Sequence, residues 1–111
     1  MDDHSNHEST ACREAARRIG TRQAVAGIIG LGYVGLPLAA AAARGGFATI
    51  GFDIDAGKIS RLNAGRSYID AVASQELAGL VAGGKFRATG DFADLAACDV
   101  VVICVPTPLS R

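Results

Sequence analysis

Residues 28–37 read IIGLGYVGLP, with Gly30, Gly32 and Gly35 set directly behind an apolar run. Glycine loses more backbone freedom on folding than any other residue, about 0.5–1 kcal/mol per position in regular structure, so a cluster of this density means that something needs bare backbone. Just before it, AVAGII (24–29) is short and apolar and suits a strand buried on both faces of a parallel sheet. Just after it, Val34 to Arg44 is alanine-rich and predicts a helix, with Pro37 in the first turn, where a missing N–H is tolerated, and Gly45 and Gly46 as the stop.

The alternation continues along the chain. FATIGFDID (47–55) reads as a second buried strand ending in two carboxylates, and AGKISRLNAG (56–65) as a short helix closed by Gly65. Ser74 to Val81 predicts a helix with Ser74 as its cap, FRAT (86–89) a short strand, and DFADLAAC (91–98) a helix opened by an acidic cap. DVVVICVP (99–106) is an almost unbroken apolar strand. Strands joined by helical crossovers give an α/β fold, a Rossmann-type doubly wound parallel sheet, here partial with about four strands. In the strand order 3-2-1-4-5-6 the last of these would leave one side as an open apolar edge without a lysine or proline to guard it, so the chain is expected to be marginally stable, or to dimerise or aggregate through this strand.

Composition bounds the rest. At 111 residues the chain holds one domain at most, and with half its residues apolar it can bury a core. Eleven basic residues against eleven acidic ones leave no net charge and no basic cluster, which argues against nucleic acid as a partner. Cys12, Cys98 and Cys104 form no CxxC pair and lie far from His4 and His7 in the chain, so neither a metal site nor a disulfide framework is expected. Reduced thiols in a cytoplasmic protein are the plain reading. MDDHSNHEST does not read as a targeting peptide, and the apolar stretch from Leu36 to Ala43 is far short of the roughly 20 residues a bilayer needs, so no membrane is expected. Residues 1–22, polar and carrying arginines at 13, 17, 18 and 22, read as a flexible extension ahead of a domain over 23–111.

A G-x-G-x-x-G stretch alone is a weak signal, but here it follows a strand, opens a helix and is succeeded by a second strand ending in Asp53, 18 positions after Gly35. In that setting Gly30 permits the tight turn, Gly32 lets a pyrophosphate approach the backbone, and Gly35 lets helix pack on strand. N–H groups at Tyr33 and Val34, with the helix dipole, supply the positive end an anion needs. Asp53 suits a carboxylate accepting from both hydroxyls of an adenosine ribose, and it would repel a 2′-phosphate, so NAD is favoured over NADP. For the glycines the alternative is a tight turn without a ligand. Lys58 is a candidate for the adenosine side, or a solvated helix lysine. Val105-Pro106-Thr107-Pro108 falls at the carboxyl end of the last strand, where ligands of open parallel sheets bind, or is an ordinary turn. Cys104, inside VVVICV, reads as a packed core thiol and not a nucleophile, while Asp55, Asp91 and Asp99 read as helix caps or strand-end residues.

These stretches resemble the UDP-glucose/GDP-mannose dehydrogenase family, particularly its bacterial branch that oxidises UDP-N-acetylhexosamines and related nucleotide sugars. The matching segments are IIGLGYVGLPLA, GFDID followed by Lys58, LNAGRS, FRATGDFADLAACD and CVPTPL, covering about residues 24–109. GYVGLPLA and CVPTP are far more specific than the glycine motif, and they point away from 3-hydroxyacid dehydrogenases, which also carry GLGxxG. The resemblance implies oxidation of the C6 primary alcohol of a UDP-sugar (UDP-glucose or a UDP-N-acetylhexosamine) to a carboxylate with two NAD reduced, in polysaccharide precursor synthesis. It also implies that Gly30, Leu31, Gly32, Tyr33, Val34, Gly35, Asp53, Lys58, Val105, Pro106 and Thr107 contact NAD. The family's catalytic cysteine and acid–base residues lie in later segments and Cys104 does not match them, so this chain is expected to bind NAD without catalysis, and a UDP-sugar only when the later domains are supplied. Two departures stand out: Gly27 replaces a residue that is usually β-branched, and Tyr68 follows Ser67 where the family commonly has proline. A stand-alone NAD-sensing module and a truncated gene product without function are the alternative readings.

Overall fold

In the computed structural model, which describes residues 23–104, the order is β1 (Val25–Ile29), α1 (Gly35–Arg44), β2 (Ala48–Phe52), α2 (Ala56–Asn63), α3 (Ser74–Ala82), β3 (Phe86–Thr89), a 3₁₀ helix (Phe92–Ala97) and β4 (Val100–Ile103). The expected extension over 1–22 and the Val105-Pro106-Thr107 segment lie outside the described residues. The four strands form one parallel sheet in the order β3-β2-β1-β4, the expected Rossmann-type arrangement. In register, Gly27 of β1 lies beside Ile50 of β2 on one side and Val101 of β4 on the other, and Ile50 lies beside Arg87 of β3.

Why α1 sits on this sheet is legible in its residues. Gly35, Leu36, Ala39, Ala40 and Ala43 recur at helical spacing and are buried, and most are small enough to bring the helix axis close to β1 and β2. Beneath lies a core in which Ile28, Leu31, Leu36, Leu62 and Leu77 are fully buried, while Phe52, also fully buried, lies outside that cluster against Phe92. Asp55 caps α2, its side chain accepting from the N–H groups of Gly57 (2.9 Å) and Lys58 (3.2 Å). Asp91 caps the next helical segment by accepting from Ala93 N–H at 3.0 Å, but that segment is a 3₁₀ helix, closed by three-residue bonds such as Cys98 N–H to Leu95 carbonyl. Asp99 is a strand-end residue whose Oδ2 accepts Val25 N–H at 2.8 Å. Ser74 does not cap α3: the cap position is Ala73, and the Ser74 hydroxyl instead accepts Ser67 N–H at 2.9 Å, a loop donor that competes for it.

The departure at Gly27 has a packing cause. A Cβ there would lie 2.7 Å from Cys98 Sγ and 3.3 Å from the Phe52 ring, so Cys98 occupies the volume that a side chain on β1 would take. The two sheet edges differ. Asn63, from α2, donates to the Ala88 carbonyl and accepts the Ala88 N–H, both at 2.8 Å, and so takes the place of a neighbouring strand at Ala88 on the outer side of β3. Among the described residues β4 pairs with β1 alone, and its four apolar side chains are 36–64% exposed.

Candidate functional site

The loop between β1 and α1 separates three reasons for glycine. Gly30 has φ +95°, a region L-residues avoid, and a side chain there would also strike the Cys104 carbonyl. At Gly35 a side chain would strike the Gly30 carbonyl. Both positions are therefore glycine for reasons internal to the fold. Gly32 is different: its φ is not positive, and no described atom lies within 4 Å of where a Cβ would stand. Turn geometry and packing explain two of the three glycines, and the third leaves open space beside its backbone.

The same loop is electropositive. Tyr33 and Val34 are exposed, and among the described residues nothing accepts a hydrogen bond from their N–H groups. The ten-residue α1 begins behind them without a side-chain cap and without an acid in its first turn, so the positive end of its dipole is uncompensated. Such an end is a ready-made anion site.

Asp53, one residue past β2, supplies the opposite charge. Its Oδ2 accepts Leu31 N–H at 2.9 Å and its Oδ1 accepts Asp55 N–H at 3.0 Å, and a carboxylate's roughly four lone-pair sites leave it acceptor capacity beyond its backbone partners. Partial burial works against the charged form, but the N–H bonds from Leu31 and Asp55, the Lys58 ammonium and a bond from Ile54 outweigh it, and the carboxyl is held below its ordinary pKa. Lys58 is thus close enough to act on Asp53, and its Nζ lies 5.6 Å from the centre of the Tyr68 ring.

One open cavity of about 1070 Å³ brings together Gly30, Leu31, Gly32, Tyr33 and Val34 with Asp53 and Lys58. Gly35 lies behind it, against Gly30, and Val105, Pro106 and Thr107 are outside the described residues. The cavity also takes in residues that sequence reasoning missed. Ile54 is 91% exposed directly after Asp53, an apolar side chain left in water at the mouth, which the FDID stretch made findable. Phe92 packs its ring 5.5 Å from that of Phe52. Tyr68 reaches the cavity from a loop with no periodicity to betray it. Cys104 borders the cavity, partly buried against the core. Burial, then the charges of Asp99 and Asp94 against that of Arg87, push the Cys98 thiol up, which keeps it protonated and unreactive. Chemically, the arrangement joins an anion-binding loop, a carboxylate with spare acceptors and an apolar mouth; this suits a phosphorylated nucleoside with a free ribose diol. Among the described residues no helix is long and apolar enough to cross a membrane.

Comparison with known proteins agrees with this geometry. Residues 24–111 match the NAD binding domain of the UDP-glucose/GDP-mannose dehydrogenase family. The chain is similar to the UDP-N-acetyl-D-mannosamine dehydrogenase of Pyrococcus horikoshii, 37% identical over 84 residues that make up 75% of this chain and 20% of the relative. It is likewise similar to the GDP-mannose 6-dehydrogenase of Pseudomonas syringae pv. tomato, 44% identical over 87 residues, 76% of this chain and 20% of the relative. Among solved structures, the Pyrococcus horikoshii UDP-D-ManNAc dehydrogenase superposes with a TM-score of 0.72 at 36% identity, over 78% of this chain and 21% of that one. A ternary complex of GDP-mannose dehydrogenase from Pseudomonas aeruginosa superposes at 0.71 and 33% identity, over 78% and 20%. The chain spans about a fifth of the length of the relatives it matches.

Proposed function

Because the chain belongs to the UDP-glucose/GDP-mannose dehydrogenase family, whose matched domain binds NAD, we propose that residues 23–111 are the NAD-holding portion of a nucleotide-sugar 6-dehydrogenase. The longer protein would oxidise the C6 alcohol of a UDP-sugar, UDP-glucose or a UDP-N-acetylhexosamine, to a carboxylate for polysaccharide precursors, with one water consumed and two NAD reduced. When bound, NAD supplies the acceptor for each hydride. The residues described here bind and orient it, and we infer that the 111-residue chain holds NAD without turning over the sugar.

The observation that carries this reading is Gly32, whose bare backbone has no internal reason among the described residues and sits where an anion would meet the N–H groups of Tyr33 and Val34. Asp53 adds selectivity. Its carboxylate keeps acceptor capacity for the ribose diol, and a 2′-phosphate brought to it would meet like charge across a partly desolvated gap. Lys58, Val105, Pro106 and Thr107 complete the proposed contact set. Calorimetric titration of the chain with NAD and NADP tests the reading: saturable binding of NAD with much weaker NADP is expected, and absent or equal binding of the two would overturn it.

Two further statements belong to the same reading. Among the described residues β4 is apolar and pairs on one side only, which supports association of the chain with itself through that strand. Free thiols at Cys98 and Cys104 suit a cytoplasmic setting.

A further inference from the structure

Between α2 and α3 the chain makes a short, closely tied detour. It turns at Gly65, and Arg66 N–H returns to the Arg61 carbonyl at 2.9 Å. Ser67 is then held three ways: its N–H by Ser74 Oγ at 2.9 Å, its hydroxyl on the Ile69 carbonyl at 2.9 Å, and its own carbonyl under the Arg61 guanidinium at 3.2 Å. Ile69 and Val72 sink into the core just beyond. Tyr68 stands between these anchors, so its ring is placed by a rigid loop. Lys58 Nζ and Arg61 Cζ each lie 5.6 Å from its ring centre, and its hydroxyl donates to the Leu31 carbonyl inside the glycine loop, 37 residues away. Burial, then the charges of Asp53 and Asp55, push the phenol up to about 12, so the hydroxyl stays a neutral donor.

Leu31 is therefore gripped from both sides, its N–H by Asp53 and its carbonyl by Tyr68, while its side chain is fully buried. Resting on the NAD reading above, we propose that Tyr68 is a positioning residue for the dinucleotide: its hydroxyl pre-sets the glycine loop for the diphosphate, and its ring sets Lys58 beside Asp53 at the ribose end. A loop ordered before the ligand arrives does not lose that freedom on binding, so the benefit appears in affinity for ligands that carry the diphosphate.

The test compares the chain with Tyr68→Phe and Tyr68→Leu, titrating each with NAD, ADP and adenosine and following the ligand and the amide resonances by NMR. The whole energy of one hydrogen bond corresponds to roughly tenfold, the most that loop pre-ordering can contribute, so Tyr68→Phe is expected to bind NAD and ADP several-fold and up to about tenfold more weakly while adenosine stays within about twofold. Resonance shifts confined to Leu31 through Val34 and their contacts are expected with it. Tyr68→Leu, which also removes the platform under Lys58, is expected to weaken adenosine as well. Unchanged ADP affinity in Tyr68→Phe, equal losses for ADP and adenosine, or collapse of the whole spectrum would each overturn the positioning role. Failure of the unaltered chain to bind NAD or ADP overturns the underlying reading and this proposal with it, and is seen before any variant is made.

Discussion

Asp53 Oδ2 accepts the N–H of Leu31 at 2.9 Å, so the carboxylate assigned to the ribose is also the hook that holds the glycine loop against the end of β2. A substitution there acts on two quantities together. Asp53→Ala is expected to weaken NAD binding by about 1.5–3 kcal/mol and to lower folding stability by about 1–3 kcal/mol, because Leu31 N–H is left without its partner. Asp53→Asn keeps an oxygen for Leu31, so its melting temperature should recover most of the loss while discrimination against NADP falls. Thermal melts and paired NAD and NADP titrations check both, and an Asp53→Ala protein melting with the unaltered chain would show that the hook is dispensable.

Acid should loosen the same hook. The folded-state pKa of Asp53 lies below the ordinary aspartate value of 3.8. The unfolded state therefore takes up the proton first, and the stability that this group contributes is fully present above that value and is lost as pH falls through the folded pKa. Acid titration of the unaltered chain and of Asp53→Asn should give stability curves that converge below the ordinary aspartate range. Curves that stay parallel to the lowest pH would contradict the assignment.

Gly32→Ala separates ligand space from fold space. With no described atom near its Cβ, the substitution should change stability by no more than about 0.5 kcal/mol. NAD affinity should nevertheless fall sharply, because the methyl group occupies the approach of the pyrophosphate. A melting temperature unchanged alongside undiminished NAD binding would remove the loop from the site.

Gly27 and Cys98 should behave as one unit. Gly27→Ala pushes a methyl group toward the Cys98 sulfur and is expected to cost about 1–3 kcal/mol by overpacking. In Cys98→Ala the added methyl group fills space the sulfur has vacated, so the double variant should be more stable than the sum of the two predicts, by about 1 kcal/mol or more. Urea unfolding of the four proteins measures that coupling, and simple additivity would refute the contact.

Most of this fold is written in local patterns. The alternation of apolar runs with alanine-rich or capped segments placed all four strands, and the glycine loop with Asp53 placed the heart of the cavity, because each signal lies within one strand–turn–helix unit. Ser74 misled because a serine at a helix start caps only when no outside donor claims its hydroxyl, and Ser67 N–H does. The 3₁₀ form of Phe92–Ala97 leaves no mark in residue propensity, which does not separate three-residue from four-residue bonding. In the sequence Tyr68 carries no signal of its own beyond a departure from a family pattern. Its contact with Leu31 spans 37 positions and belongs to no repeat.

For β4, Ile103→Lys places a charge on the most exposed of the four apolar side chains, at 64%. Sedimentation at rising concentration should show self-association in the unaltered chain and its suppression in the variant. A chain that sediments as a monomer throughout would refute association through this strand.

The Asn63 clamp on Ala88 decides what shape such an assembly takes. A sheet whose two borders were both bare could add copies head to tail without limit and grow into a fibre, because each newcomer would offer a fresh border of the kind it had just covered. Here Asn63 already engages the outward N–H and carbonyl of Ala88 on β3, so the proposed association of a second copy would favour the β4 side. That contact is its own mirror in partnership, each chain giving and receiving the same patch about a twofold axis, and once made it presents no further β4 to a third. If association does run β4 to β4, the Asn63 contact at Ala88 favours closure at two copies over open-ended growth.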